Sequence, residues 1–125
     1  MNVFQKIIDG VIPAYKVYED DKFLAFLDIT PVQRGHTLLI PKKHTDNLFD
    51  IEDNEYSQLF LKAKELAKMM KQKIASERIG LVVEGFGVPH AHIHLIPINN
   101  PHDLDSNNKY SASEDELKEV QKLFT

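Results

Sequence analysis

The stretch VPHAHIHLIP, Val88 to Pro97, places histidine at every second position with apolar residues between. In an extended strand, successive side chains point to opposite faces. His90, His92 and His94 then share one face, and Ala91, Ile93 and Leu95 share the other. The apolar set suits packing beneath a sheet. The imidazole set needs a cleft or a polar surface, because three buried, unpaired imidazoles would be costly. Only six histidines occur in 125 residues, so a strict alternating triplet is poorly explained by chance. Chemistry leaves two readings level. Two strand histidines and a third can hold zinc with an open coordination position. Alternatively, one imidazole is a nucleophile, neutral at the attacking nitrogen, and a hydrogen bond to its other nitrogen fixes the tautomer. Gly85 and Gly87, just upstream, allow close backbone approach, so N–H groups there could hold a phosphate.

Outward from this stretch, hydrophobic periodicity organises the chain. Val3 to Ile8 reads as a short helix stopped by Asp9-Gly10 and Pro13. Ala14 to Tyr18 and Phe23 to Ile29 read as strands joined by the turn EDDK. His36 to Pro41 is nearly continuous in apolar residues, as a strand buried on both sides would be. Asn54 to Ile74 is the longest helix. Its stripe is Tyr56, Leu59, Phe60, Ala63, Leu66, Ala67, Met70 and Ile74, with lysines on the other face. Ile79 to Glu84 and His90 to Ile98 are the last strands, joined by GFGVP. Asn99 to Asn108 reads as a polar loop. Ser113 and Glu116 have the capping-box spacing for a final helix to about Phe124. Hairpin-like strands with one long inserted helix predict an α+β fold with an antiparallel sheet.

Composition narrows the function classes. The chain has the length of a single domain, 1–125, with its core in 3–97 and a tail from 98 to 125. Apolar residues make up 42% and charged residues 27%, as in ordinary globular proteins. The net charge of −4 argues against binding a nucleic-acid polymer, though not against one small nucleotide. With no cysteine, disulfides and thiolate metal sites are excluded. Neither a signal peptide nor an 18-residue apolar run is visible, which predicts a cytoplasmic protein with no membrane partner.

HAHIHLI resembles the His-φ-His-φ-His-φ-φ signature of the histidine triad superfamily of nucleotide hydrolases and transferases. VFQKIIDGVIPA, YEDDKFLAFLDITP and GHTLLIPKKH precede it in family order, so the resemblance spans Val3 to Pro97 and is closest to the short Hint-like branch. It implies a sheet of about five strands on the long helix, with short terminal helices, and a homodimer. It also implies hydrolysis of a nucleotide conjugate, a phosphoramidate or dinucleoside polyphosphate, without metal or other cofactor. By that resemblance His92 attacks the α-phosphate, and water releases a nucleoside monophosphate from the nucleotidyl-histidine. His94 contacts the phosphate or leaving group, His90 orients His92, and His36 stands behind the nucleophile. Asp28 holds ribose hydroxyls. Phe4, Ile7, Ile12, Phe26 and Ile29 form the slot for the base, and the backbone of Gly85, Gly87 and Val88 meets the phosphate. A zinc-dependent hydrolase on the same face, or a nucleotide-binding protein with little turnover, are the alternatives.

The chain also departs from the pattern. Relatives carry Gly-Gln-Ser/Thr-Val before the triad, where this chain has Gly85, Phe86, Gly87 and Val88. The Gln and Ser side chains that assist the leaving group are absent, which predicts slower turnover or another leaving-group preference. A family Asn is replaced by Val83, and Glu84 reads as a strand-end charge. Many bacterial relatives bind a structural zinc through two cysteines, a Pro-Lys-x-His histidine and the first triad histidine. Asn2 and Gln5 stand at the cysteine positions, so no structural zinc is expected. Lys42, Lys43 and His44 then read as a solvated turn, and His102 as exposed.

Overall fold

Alternation along the strands decides which helix covers which side of the sheet. The computed structural model describes residues 1–125. Its strands are β1 (Lys16–Glu19), β2 (Phe23–Leu27), β3 (Thr37–Pro41), β4 (Arg78–Val82) and β5 (Ile93–Ile98). They form one antiparallel sheet in the order β1-β2-β3-β5-β4. The helices are α1 (Val3–Ile8), α2 (Asp53–Lys73) and α3 (Glu114–Phe124), with 3-10 turns at Leu48–Asp50 and Ser106–Asn108. This is the α+β arrangement the sequence predicts. No helix is long and apolar enough to cross a membrane.

The sheet has two unequal cores. Phe23, Ala25, Leu27, Leu39, Ala91, Ile93 and Leu95 belong to a cluster of 17 buried residues. Helix α2 adds Leu59, Ala63, Leu66 and Met70 to it, and α3 adds Leu117, Val120 and Phe124. The predicted stripe of α2 thus supplies its buried face, with Tyr56, Phe60 and Ile74 packed at the margin. Leu59, Met70, Ile93 and Leu95 are almost wholly buried, each worth about 1.5–3 kcal/mol of transfer free energy. The opposite face carries only six buried apolar residues: Phe4, Ile7, Leu24, Phe26, Leu38 and Ile40. One turn-and-a-half of helix covers part of that face and leaves the rest open.

Several elements end elsewhere than periodicity predicts, and side chains explain it. Strand β2 stops at Leu27 rather than Ile29, because the Asp28 carboxylate folds onto Thr30, accepting from its N–H at 2.8 Å and its hydroxyl at 3.1 Å. Strand β5 starts at Ile93 rather than His90. The Ala91 N–H donates to Thr45 O at 2.7 Å and the His90 N–H to Val88 O at 2.8 Å, so this backbone is tied outside the ladder. Strand β1 starts at Lys16 and is irregular between Lys16 and Tyr18. At the last helix, Ser113 caps the Glu116 N–H as its spacing predicts. The Glu116 carboxylate instead accepts from the Tyr110 hydroxyl at 2.6 Å.

Candidate active site

Helix α1 is short enough to need local help. The Asn2 side chain accepts from the Gln5 N–H and the Gln5 side chain from the Asn2 N–H, each at 2.9 Å, a reciprocal capping box. The helix seats Phe4 edge-on against Phe26, with ring centroids 5.6 Å apart, and against His92 at 5.0 Å. Beside it lies a cleft of about 340 Å³, lined by His36, His92 and His94, by Gly85, Gly87 and Val88, and by the Asp28 carboxylate. An apolar slot of about 220 Å³ adjoins it, lined by Ile7, Ile12, Phe26 and Ile29. Phe4, Asp28 and Leu38 line both. The candidate base slot and the candidate phosphate cleft thus meet at the residue singled out for ribose.

Hydrogen-bond partners place the imidazole protons. His92 Nδ1 lies 2.7 Å from the His90 carbonyl, which can only accept, so Nδ1 carries the proton. Nε2 has no partner in the chain. His36 Nδ1 accepts from the Val32 N–H at 3.1 Å, so its proton is on Nε2. That Nε2 lies 2.9 Å from His94 Nδ1 and 3.6 Å from Asp28 Oδ2. His94 Nδ1 accepts, and the His94 proton sits on Nε2. His90 donates from Nε2 to Pro41 O at 2.7 Å, and its Nδ1 is buried without a partner. Burial, reinforced by the neighbouring His36 and His92, pushes His94 down to about 4. Burial also lowers His36 and His90 below the ordinary histidine range; the Asp28 carboxylate opposes the shift at His36. These three imidazoles are neutral near pH 7.

His90 meets His92 through its main-chain carbonyl, since the His90 ring turns away to Pro41. One expectation needs correction. His36 stands behind His94 rather than behind His92. Ala91, Ile93 and Leu95 lie in the larger core and the rings of His90 and His92 pack on Phe4 opposite, with His94 beside His92, but only His92 and His94 of the three line the cleft.

Sequence comparison supplies the family. The HIT domain matches residues 9–100. The chain belongs to the HIT family. An uncharacterized HIT-like protein of Borreliella burgdorferi is 35% identical over 127 residues, covering 94% of this chain and 91% of the relative. A hypothetical histidine triad nucleotide-binding protein from Sulfolobus tokodaii superposes with a TM-score of 0.87 at 30% identity, over 97% of this chain and 87% of that one. A Zn-bound histidine triad family protein from Mycobacterium smegmatis gives a TM-score of 0.81 at 29% identity, over 98% and 91%.

Two metal arrangements can be tested against this HIT chain. Asp28, His36 and His94 bring ligand atoms within 4.8 Å of one another. The Val32 N–H occupies His36 Nδ1, so ligation through Nε2 would demand an imidazolate. His90 lies outside that group, which removes the face-wide zinc site. At the other place, the Asn2 and Gln5 side chains are spent on capping α1. His44 donates to Pro89 O at 2.7 Å. Without thiolates these residues do not fit a four-ligand structural zinc.

The walls of the cleft hold further detail. Gly85 has φ +87, a conformation that disfavours other residues, while a side chain at Gly87 would meet open space. Gly35 leads into His36 at φ +92, where a Cβ would stand 2.7 Å from Ile74 Cδ1. Glu84 lines the cleft as well as ending its strand region. Leu104, Ser106 and Lys109 line it too, and sequence reasoning missed all three. They come from the polar tail, and no spacing signal links them to the triad.

Proposed function

We propose that the chain hydrolyses nucleotide conjugates, releasing a nucleoside monophosphate through a nucleotide held covalently on His92. One observation carries the reading: His92 donates from Nδ1 to a carbonyl, which leaves Nε2 without a partner in a protein cleft. The base occupies the apolar slot, and the ribose hydroxyls meet Asp28 Oδ2, whose other oxygen is held by Thr30. The α-phosphate lies against the Gly87 and Val88 N–H groups, which have no partner in the chain. Nε2 attacks phosphorus in line with the leaving group, whose bond to phosphorus breaks; a water oxygen then bonds to phosphorus, the nitrogen–phosphorus bond breaks and its electron pair returns to Nε2. Positioning and fixed donors supply most of the rate, as expected where phosphorus is transferred.

Rapid quenching with a labelled adenosine phosphoramidate tests this. An acid-labile protein adduct that is absent in His92→Ala is the expected result. A second reading, a nucleotide-binding protein with little turnover, is favoured by Phe86 and Gly87 standing where relatives have Gln and Ser. Tight binding of the monophosphate with neither adduct nor product would establish it. Losing one such donor lowers rates on the order of 10²–10³. Turnover of adenosine phosphoramidate at the rate of Gln/Ser-bearing relatives would contradict that account of the loop.

The proposal includes a homodimer. Strand β4 is an edge strand with Leu81 45% exposed and, just beyond it, Val83 37% exposed, and apolar edges are seldom left uncovered. Light scattering should give twice the chain mass; a monomer at micromolar concentration would oppose it.

A further inference from the structure

The tail forms part of the cleft wall and is tied there by hydrogen bonds. The Tyr110 N–H donates to Pro31 O at 3.2 Å and the Ala112 N–H to Ile29 O at 3.1 Å. Gln33 Nε2 donates to Asp103 O at 3.0 Å, and the Lys109 N–H to Ser106 O at 3.2 Å. These bonds hold Lys109 on the same cleft as His92, His94, Gly85 and Gly87. Lys109 forms no ion pair in the chain. Glu84 also lines the cleft, and the Lys109 charge disfavours protonation of His94 as it does of His36. An ammonium with no ion pair therefore lines the same cleft as His92 and His94.

We propose that Lys109 is a specificity-determining residue that directs the His92 reaction toward phosphoanhydrides, conjugates whose leaving group is itself a phosphate, in preference to phosphoramidates. This rests on His92 being the nucleophile. In the first step the Nε2 lone pair forms the nitrogen–phosphorus bond. The bond from phosphorus to the bridging oxygen breaks, and its electron pair leaves on that oxygen. The departing phosphate gains negative charge and needs a cation more than a proton. In the second step a water oxygen bonds to phosphorus and the nitrogen–phosphorus pair returns to Nε2. The proton released by water balances the one owed to the leaving phosphate. An amine leaving group differs, because it must be protonated as it departs. His94, neutral and hydrogen-bonded to His36, is a poor acid for that task.

The test compares kcat/KM of the full chain on diadenosine triphosphate and on adenosine 5′-phosphoramidate. Lys109→Met should lose at least about 10-fold more on the triphosphate than on the phosphoramidate, and Lys109→Arg should recover most of that loss, as expected of a point charge acting on phosphate. The native chain should favour the triphosphate. Equal losses on both substrates, no loss on the triphosphate, or native preference for the phosphoramidate would each overturn the assignment. Equal losses with a His92-dependent adduct still forming would overturn Lys109 alone. Product without any His92-dependent adduct, or no turnover of either substrate, would overturn the proposed function first and this inference with it. Thermal melting separates misfolding from both.

Discussion

The two faces of the sheet are built from the same strands and spend their residues differently. The face under α2 and α3 is continuous hydrocarbon, with no titratable side chain among its 17 buried members. The face under α1 has six buried apolar residues and four imidazoles that each meet a partner through a defined nitrogen. Burial on the first face supplies stability. On the second it fixes imidazole hydrogen bonds and keeps His36, His90 and His94 neutral. The difference teaches that a half-covered sheet face can be a site because its helix is too short to close it.

The sharpest way to separate the faces is to remove His92. His92→Ala should lower kcat on the order of 10⁴-fold or more in steady-state assays, as losing a nucleophile does elsewhere. Its folding stability should change far less than for a core truncation. Leu59→Ala on the other face should cost about 2–5 kcal/mol in denaturant unfolding and leave kcat within about 2-fold below the transition. A variant that loses activity on the α2 face at unchanged stability would break the division.

Acidity discriminates next. An imidazole kept neutral by burial binds fewer protons than the same group in the unfolded chain. Its contribution to stability is whole above the ordinary pKa near 6.5 and declines as pH falls through that value toward the folded pKa, about 4 for His94. Melting followed from pH 7 to pH 5 should show a loss on the order of 2 kcal/mol by pH 5. His94→Asn should flatten the slope. An unchanged slope in that variant would move the titration to other groups.

The smallest change lies in the loop beside the triad. Phe86 is 90% exposed, and nothing stands within 4 Å of a Cβ built on Gly87. The double change Phe86→Gln, Gly87→Ser should leave stability within about 0.5 kcal/mol. It should raise kcat on a phosphoramidate by about 10-fold or more, if missing donors are what slow it. No gain would point to the leaving group rather than the loop.

Legibility in the sequence followed the range of the forces. The sharing of faces by His90, His92 and His94 against Ala91, Ile93 and Leu95 was visible, because strand alternation is a local rule. The α2 stripe was visible for the same reason. Strand ends were not, since Asp28 turning onto Thr30 and Thr45 O capturing the Ala91 N–H depend on particular partners. The imidazole tautomers were also hidden. They are decided by Val32 N–H, Pro41 O and His90 O, main-chain atoms that carry almost no residue-type signal. Lys109 was hidden for a third reason. The tail that carries it reaches the cleft through backbone bonds to Ile29 and Pro31, which leave no pattern in composition.

The hydrogen bond from His92 to the carbonyl of residue 90 has a consequence for how this protein tolerates change. The acceptor that sets the His92 tautomer is common to all twenty amino acids, so no substitution at position 90 can delete it. Replacing His90 removes a buried ring from between Phe4 and His44, and the damage is to packing. In a mutational scan, losses at position 90 should be recovered by cooling or by stabilising substitutions elsewhere. Losses at position 92 should not.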